Sequence, residues 1–406
     1  MTRGLARRLE NVSPSASMSA LAEVARLRKE GREILSLTVG EPDFPTPPHI
    51  IEAAIQALRT GQTGYRPTSG IPVLRDAILE AFSHCGLAFK ENEVTIGSGA
   101  KQLIFAAFLA TVDVGDEIIV PTPYWVSYPE IGTLFGAKIV NVPCDPEDGF
   151  KLLPSRLEAA LTNKTRWLVL NSPNNPTGAV YSSEELAGLG KVLERYPDCL
   201  ILSDEIYQHL IYDNRLFVPF AAANPALLER VLTVNGVSKA YSMTGFRLGY
   251  AGGPAWLVAA LNTILTHDTT CPSSISQVAA AAALTGNQDT IGVNRAAYQL
   301  RRDRLVDQIN KIPGMQCSRP SGAFYLFVSV SGLFGARTAS GDVLNSDMDI
   351  ANHFLRIAGV AVLPGSAFGL SSHLRLSFAI SMETLNRAAE ALSLAVQSLT
   401  LQSEVC

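Results

Sequence analysis

A lysine, an arginine and a carboxylate carry the chemistry that stands out in this sequence. Lys239 follows the apolar run Val231-Leu232-Thr233-Val234 and lies in Ser238-Lys239-Ala240-Tyr241-Ser242-Met243-Thr244-Gly245-Phe246-Arg247-Leu248-Gly249. An amine at a strand end can form a Schiff base with an aldehyde once its pKa is lowered. Arg247, eight positions on and set among glycines, can approach a phosphate with a two-pronged guanidinium. Aldehyde and phosphate together describe pyridoxal 5'-phosphate. Asp204, at the end of Leu200-Ile201-Leu202-Ser203, adds a carboxylate that can keep a pyridine nitrogen protonated and so make the ring an electron sink. Tyr207, three positions on, can reach the ring's phenolic oxygen. Taken singly, Asp204 also reads as a helix cap, and Lys239 and Arg247 as solvated loop residues.

Three further segments ask for the same ligand. Asn171-Ser172-Pro173-Asn174-Asn175-Pro176-Thr177-Gly178 is a turn by composition, with X-Pro bonds that can be cis. In it Asn175 is a donor for the phenolic oxygen, although a plain strand-to-helix loop has the same composition. Gly97-Ser98-Gly99-Ala100-Lys101-Gln102 precedes an apolar helix, and small residues there leave backbone N–H groups free for an anion. A tight turn would look the same. Pro121-Thr122-Pro123-Tyr124-Trp125-Val126-Ser127-Tyr128 offers an aromatic that can stack on a pyridine face, or simply fill the core.

These residues must be held by regular elements. Residues 117–120, 138–142, 167–170, 200–202 and 231–234 read as buried strands. Helical stretches lie between them, among them 99–111 and 183–195, the latter opened by Ser182-Ser183-Glu184-Glu185. The alternation predicts an α/β fold with a mostly parallel sheet covered on both faces. Ligands bind beyond the carboxyl ends of such strands, where Asn175, Asp204 and Lys239 all fall. From about residue 295 the pattern changes to a long polar helix over 294–309 and strand-like runs at 322–328, 359–365 and 373–378. The expected organisation is an arm over 1–45 packing on a small α+β domain over 295–406, with a large domain over 46–294. Residues 331–349 read as a loop.

The chain has 406 residues, 47% of them hydrophobic and 17% charged, with a net charge of -4. That is enough for two domains and a large core, and it gives no surface for a polyanion. No zinc-finger spacing or RNP motif appears, so neither nucleic acid nor a metal is expected. Cys85, Cys144, Cys199, Cys271, Cys317 and Cys406 are scattered and read as reduced thiols of a cytoplasmic protein. No apolar run approaches the roughly 18 residues of a spanning helix, and the basic start lacks the apolar stretch of a secretory signal.

Together and in this order, the motifs resemble the fold-type-I pyridoxal-phosphate enzymes. Within these they resemble the class I aminotransferases of the bacterial aspartate type, from Arg3-Gly4-Leu5 through Leu37-Thr38-Val39-Gly40-Glu41-Pro42-Asp43-Phe44 to Arg375. The resemblance implies a seven-stranded sheet in the large domain. It implies that Lys239 holds the cofactor's aldehyde carbon, Asp204 its pyridine N–H, and Tyr207 and Asn175 its phenolic oxygen. Arg247, Ser238 and the Gly99-Ala100 amides, with Lys101 beside them, would hold the phosphate, and Trp125 would stack on the ring. Tyr65, in Gly64-Tyr65-Arg66-Pro67, would reach the neighbouring subunit's phosphate, which implies a homodimer. Arg375 would grip the α-carboxylate of an amino acid or 2-oxo acid near Gly40, and Lys101 a distal carboxylate. Trp125 and Asn175 would also face the substrate. The expected activity is ping-pong amino transfer with aspartate or glutamate. The alternatives are a broader, aromatic or prephenate specificity, or a β-lyase on the same fold. Relatives that use prephenate resemble one another in a basic residue of the arm. Here that position reads Ser13, which counts against prephenate.

Overall fold

The computed structural model describes residue 4, residues 6–14 and residues 16–401. Cys406, Arg3 and Leu5 lie outside them.

Twelve strands are described, in three sheets. In chain order they are β1 (Leu35–Ser36), β2 (Val94–Gly97), β3 (Glu117–Thr122), β4 (Lys138–Pro143), β5 (Thr165–Asn171) and β6 (Leu200–Asp204). Then follow β7 (Val231–Gly236), β8 (Gly249–Gly252), β9 (Tyr325–Ser329), β10 (Val360–Ala361), β11 (Leu363–Pro364) and β12 (His373–Ser377). Seven of them form one sheet in the order β2-β8-β7-β6-β5-β3-β4. Only β8 runs antiparallel, to β7 and to β2. Its central strands are apolar because both faces are covered: β6 and β7 are buried at every position. One face packs on Leu74, Ile78, Leu189 and Ala280, from helices Pro72–His84, Ser183–Leu193 and Ser274–Thr285. The other packs on Leu103, Phe108, Leu257 and Leu261, from helices Ala100–Thr111 and Ala255–Asp268. Ser182 and Glu185 exchange backbone bonds at the start of helix Ser183–Leu193, as the capping-box sequence requires.

β11, β12 and β9 form an antiparallel sheet with its own core. Period-two alternation sorts β12: Leu374, Leu376 and Phe378 enter that core, so Arg375 lies on the opposite face. The chain's helix Ala16–Lys29 reaches this region through Val24 and Leu27, which pack on Ala361.

Several boundaries differ from those read in the sequence. β2 and β8, four residues each and containing glycine, gave no apolar run long enough to recognise. Residues 359–365 form two short strands in different sheets, because β10 pairs with β1 while β11 pairs with β12. The expected loop 331–349 contains a 3-10 turn, Ser331–Leu333, and the start of helix Asp347–His353. The Ser346 hydroxyl caps that helix by accepting from the Asp349 amide. The helix expected from 294 begins at Asp289 and runs unbroken to Ile309, through the position where the sequence divides the large region from the small.

Candidate active site

In the seven-stranded sheet β3 is flanked by β4 on one side and β5 on the other, and later strands build outward from β5. The reversal opens a crevice at the carboxyl ends, and a cleft of about 500 Å³ lies there. It is lined by Gly40, Ala100, Lys101, Trp125, Asn175, Asp204, Tyr207, Ser238, Lys239, Arg247 and Arg375. The structure thus brings together every expected site residue except Gly99, which lies against the Arg247 guanidinium, and Tyr65. Tyr65 is 89% exposed and contributes nothing to the cleft of its own chain.

Asp204 is the last residue of β6 and is 4% exposed. One carboxylate oxygen accepts from the Tyr128 hydroxyl at 2.6 Å, the other from the Ile206 amide at 3.2 Å. Burial pushes its pKa up, and these two bonds oppose the shift by favouring the ionised form. Lys239 sits three residues beyond β7, and its ammonium donates to the Gly40 carbonyl. Burial depresses it to about 8; the Glu41 carboxylate works against that shift, while the Arg375 and Arg247 cations add to it. A lysine so placed is an available nucleophile and base near neutral pH.

Arg247 has left-handed backbone (φ 51°) and donates to the Thr244 and Ser98 carbonyls. Its guanidinium lies against Gly99, where an added Cβ would come within 2.5 Å of Nη2. Gly99 (φ 86°) is the N-cap of helix Ala100–Thr111 and supplies no side-chain cap. The first amides of that helix therefore face the cleft beside a cation, as an anion site requires. The Ser98 amide is not free, because it donates to Gln102 Oε1, and neither is the expected Gly99 amide, which donates to the Gly97 carbonyl at 2.7 Å, so Ala100 is the first amide open to an anion.

Asn175 follows β5 in a turn whose bonds to Pro173 and Pro176 are cis. Its amide N–H donates to Asn171 Oδ1, and its Oδ1 accepts from Arg375 Nη1 at 3.0 Å. Arg375 Nη2 donates to the Thr38 carbonyl at 2.7 Å. Its buried Nε has no partner, an orphan donor that a carboxylate would satisfy. The guanidinium lies 4.4 Å from the Tyr325 ring and 4.9 Å from the Phe368 ring. At the cleft mouth, Lys101 Nζ lies 4.7 Å over the Trp125 ring, and Trp125 meets Tyr128 edge to face. Met18 and Leu21 add apolar cover from helix Ala16–Lys29.

Sequence reasoning missed Tyr128, Tyr325, Thr38 and the Glu41–Thr244 bond at 2.8 Å. The alternation in Leu374-Arg375-Leu376 was a usable signal for Arg375; nothing local marked Tyr325. A basic cradle with an open helix end, a buried carboxylate and a depressed lysine form a donor set that fits pyridoxal phosphate. Among the described residues no helix is long and apolar enough to cross a membrane.

The family model for aminotransferase class I and II matches residues 32–392. The aspartate aminotransferase of Rhizobium meliloti (strain 1021) is 45% identical over 396 residues, 97% of each chain. The aspartate/prephenate aminotransferase of Cereibacter sphaeroides is 45% identical over 381 residues, 94% of this chain and 95% of that one. The crystal structure of the Rhizobium meliloti aspartate aminotransferase superposes with a TM-score of 0.95 at 44% identity, covering 98% of this chain and 99% of the other. That of Thermus thermophilus with maleate gives 0.90 at 42% identity, covering 97% of this chain and all of the other. A match across nearly the whole chain, on a fold whose strand ends converge on a cradle for pyridoxal phosphate, leads to one conclusion: the chain belongs to the class I and II aminotransferases, pyridoxal-phosphate enzymes of fold type I.

Proposed function

We propose that this aminotransferase takes aspartate or glutamate as amino donor and a dicarboxylic 2-oxo acid as acceptor. The observation that carries the reading is a pair of cations in one cleft, Arg375 buried at its floor and Lys101 at its mouth. A dicarboxylate spans two such charges. The names of the relatives support it.

When bound, the cofactor supplies an aldehyde that takes up the amino group and a ring that absorbs the electron pair left on the substrate's α-carbon. Arg247, Ser238 and the Ala100 amide would hold its phosphate, with Gly99 leaving room for the Arg247 guanidinium. Asp204 would set its charge against the pyridine N–H, with Tyr128 donating to the carboxylate. Tyr207 and Asn175 would donate to the phenolic oxygen, and Trp125 would cover the ring. Arg375 fixes the α-carboxylate through Nε and the guanidinium edge. That grip would turn the α-hydrogen toward Lys239, whose amine would carry the proton that leaves the α-carbon. A water would supply the carbonyl oxygen as the amino donor leaves as its 2-oxo acid, and an equal water would be released as the acceptor takes up the amino group and leaves as an amino acid.

The site is completed in a homodimer, where exposed Tyr65 reaches the phosphate in a partner subunit. Cys85, Cys144, Cys199, Cys271 and Cys317 are free thiols and fit a reducing compartment such as the cytoplasm. Ser13 places no cation in the arm; its amide donates to Glu130 at 2.8 Å. Single-turnover mixing of the loaded enzyme with a panel of amino donors tests the assignment. Aspartate and glutamate should react faster than alanine, phenylalanine or leucine. A rank order led by uncharged donors removes it.

A further inference from the structure

Tyr325 touches both ends of the cleft. It is the first residue of β9, is 1% exposed and lines the cavity. Its hydroxyl lies 2.8 Å from the Tyr207 hydroxyl, and its ring lies 4.4 Å from the Arg375 guanidinium carbon. The backbone leaves room for it: a Cβ on Gly40 would come within 3.1 Å of the Tyr325 oxygen. No other described residue both bonds a group assigned to the cofactor's phenolic oxygen and supports the group assigned to the substrate's α-carboxylate through its ring.

The direction of the hydroxyl pair follows from proton counting. Each phenol carries one proton and can accept on its oxygen. If Tyr207 turns its O–H toward an anionic oxygen in the cleft, its own oxygen is left as an acceptor, and the Tyr325 O–H is 2.8 Å away. A phenol that accepts one hydrogen bond donates the next more strongly, because bonded chains polarise one another in a low-dielectric interior. The ring acts on different physics. A guanidinium held over an aromatic face is attracted by the ring and loses less further freedom when its edge meets a carboxylate.

We propose that Tyr325 is a positioning residue with two separable actions: its hydroxyl commits Tyr207 to donate toward the cofactor, and its ring holds Arg375 ready for the substrate's carboxylate. The inference rests on the assignments of Tyr207 and Arg375 made above. Losing the hydroxyl affects the cofactor end alone. Losing the ring affects both ends.

Three variants of the pyridoxal-phosphate-loaded enzyme separate these actions: Tyr325→Phe, Tyr325→Leu and, as a control on the assignment, Tyr207→Phe. The first readout is the pH midpoint of the holoenzyme's visible absorbance. Tyr325→Phe weakens donation from Tyr207, so the phenolic oxygen keeps its proton to higher pH. The midpoint should rise by ~0.5–1 unit, the size of one hydrogen bond, and Tyr207→Phe should raise it at least as far. The second readout is the Kd for maleate, a dicarboxylate that cannot be transaminated. Tyr325→Phe should leave it within about twofold, whereas Tyr325→Leu should weaken it by ~10-fold. Tyr325→Met replaces the leucine variant if that does not fold. If Tyr207→Phe moves the midpoint and Tyr325→Phe does not, the hydroxyl relay is overturned while the Tyr207 assignment stands. If neither moves it, both fall. Maleate binding that survives loss of the ring overturns the platform.

Discussion

The two ends of the cleft are assembled in opposite ways. At the cofactor end three central groups hang from neighbouring strands of one sheet: Asp204 ends β6, Lys239 lies three residues past β7, and Asn175 four past β5. At the carboxylate end Arg375 comes from a different sheet and is held by Thr38 and Asn175, 337 and 200 positions away in the chain. Strand ends fix a group by local geometry, so these three groups are set largely by the sheet. The carboxylate grip exists only where three distant segments meet. Substitutions at the first end should therefore act on the chemical step, and substitutions at the second on binding.

The strongest test is Lys239→Ala. Removing the proton carrier should lower kcat by about 10⁴-fold while pyridoxal phosphate still binds, without its covalent link; near-normal turnover would end the mechanism. Asp204→Asn keeps the shape and removes the charge. It should cost about 10³-fold in kcat and far less in cofactor affinity. Equal, modest losses in both would reduce Asp204 to a cap for the Ile206 amide. Arg375→Ala should act the other way round, depressing kcat/KM by about 10²–10³-fold chiefly through KM; a pure kcat effect would erase the contrast between the ends.

Lys101→Ala should be milder, because this lysine lies exposed at the mouth and water screens it. Aspartate turnover should fall about 10-fold more than that of alanine or phenylalanine, and a uniform loss would return Lys101 to the phosphate or the fold. The smallest effect concerns pH. Lys239 is depressed to about 8, so its amine is protonated below that value and neutral above it. Capture of pyridoxal phosphate by the apoenzyme should rise with pH through about 8 and then level. A rise continuing toward the ordinary lysine value near 10.4 would show that burial does not tune it.

The same contrast explains what could be read from the sequence. Asn175, Asp204 and Lys239 were recognisable because each follows an apolar run within a few residues, and open parallel sheets bind ligands beyond their strands' carboxyl ends. Gly99 and Arg247 were recognisable as a small-residue turn and a cation among glycines, though not their mutual contact. Arg375 carried a local hint in its alternation with Leu374 and Leu376, and its role came only by resemblance. Tyr128 and Tyr325 were invisible for a physical reason. A buried tyrosine looks like any core aromatic until its hydroxyl has a partner, and the partners lie 76 and 118 residues away. The split of 359–365 into two sheets was hidden likewise, since pairing partners are not encoded in the run itself.

The Arg375–Asn175 bond also imposes an order in time. A ribosome delivers this chain from its N-terminus, and domains generally fold as units while synthesis proceeds. The strands that carry Asp204 and Lys239 are complete by residue 252, before β9 or β12 has been made. Helices Ala255–Asp268 and Ser274–Thr285, which cover the sheet's two faces, are made next, and both precede Arg375. The segments assigned to the cofactor's aldehyde carbon and pyridine nitrogen are therefore synthesised before the one assigned to the substrate's carboxylate.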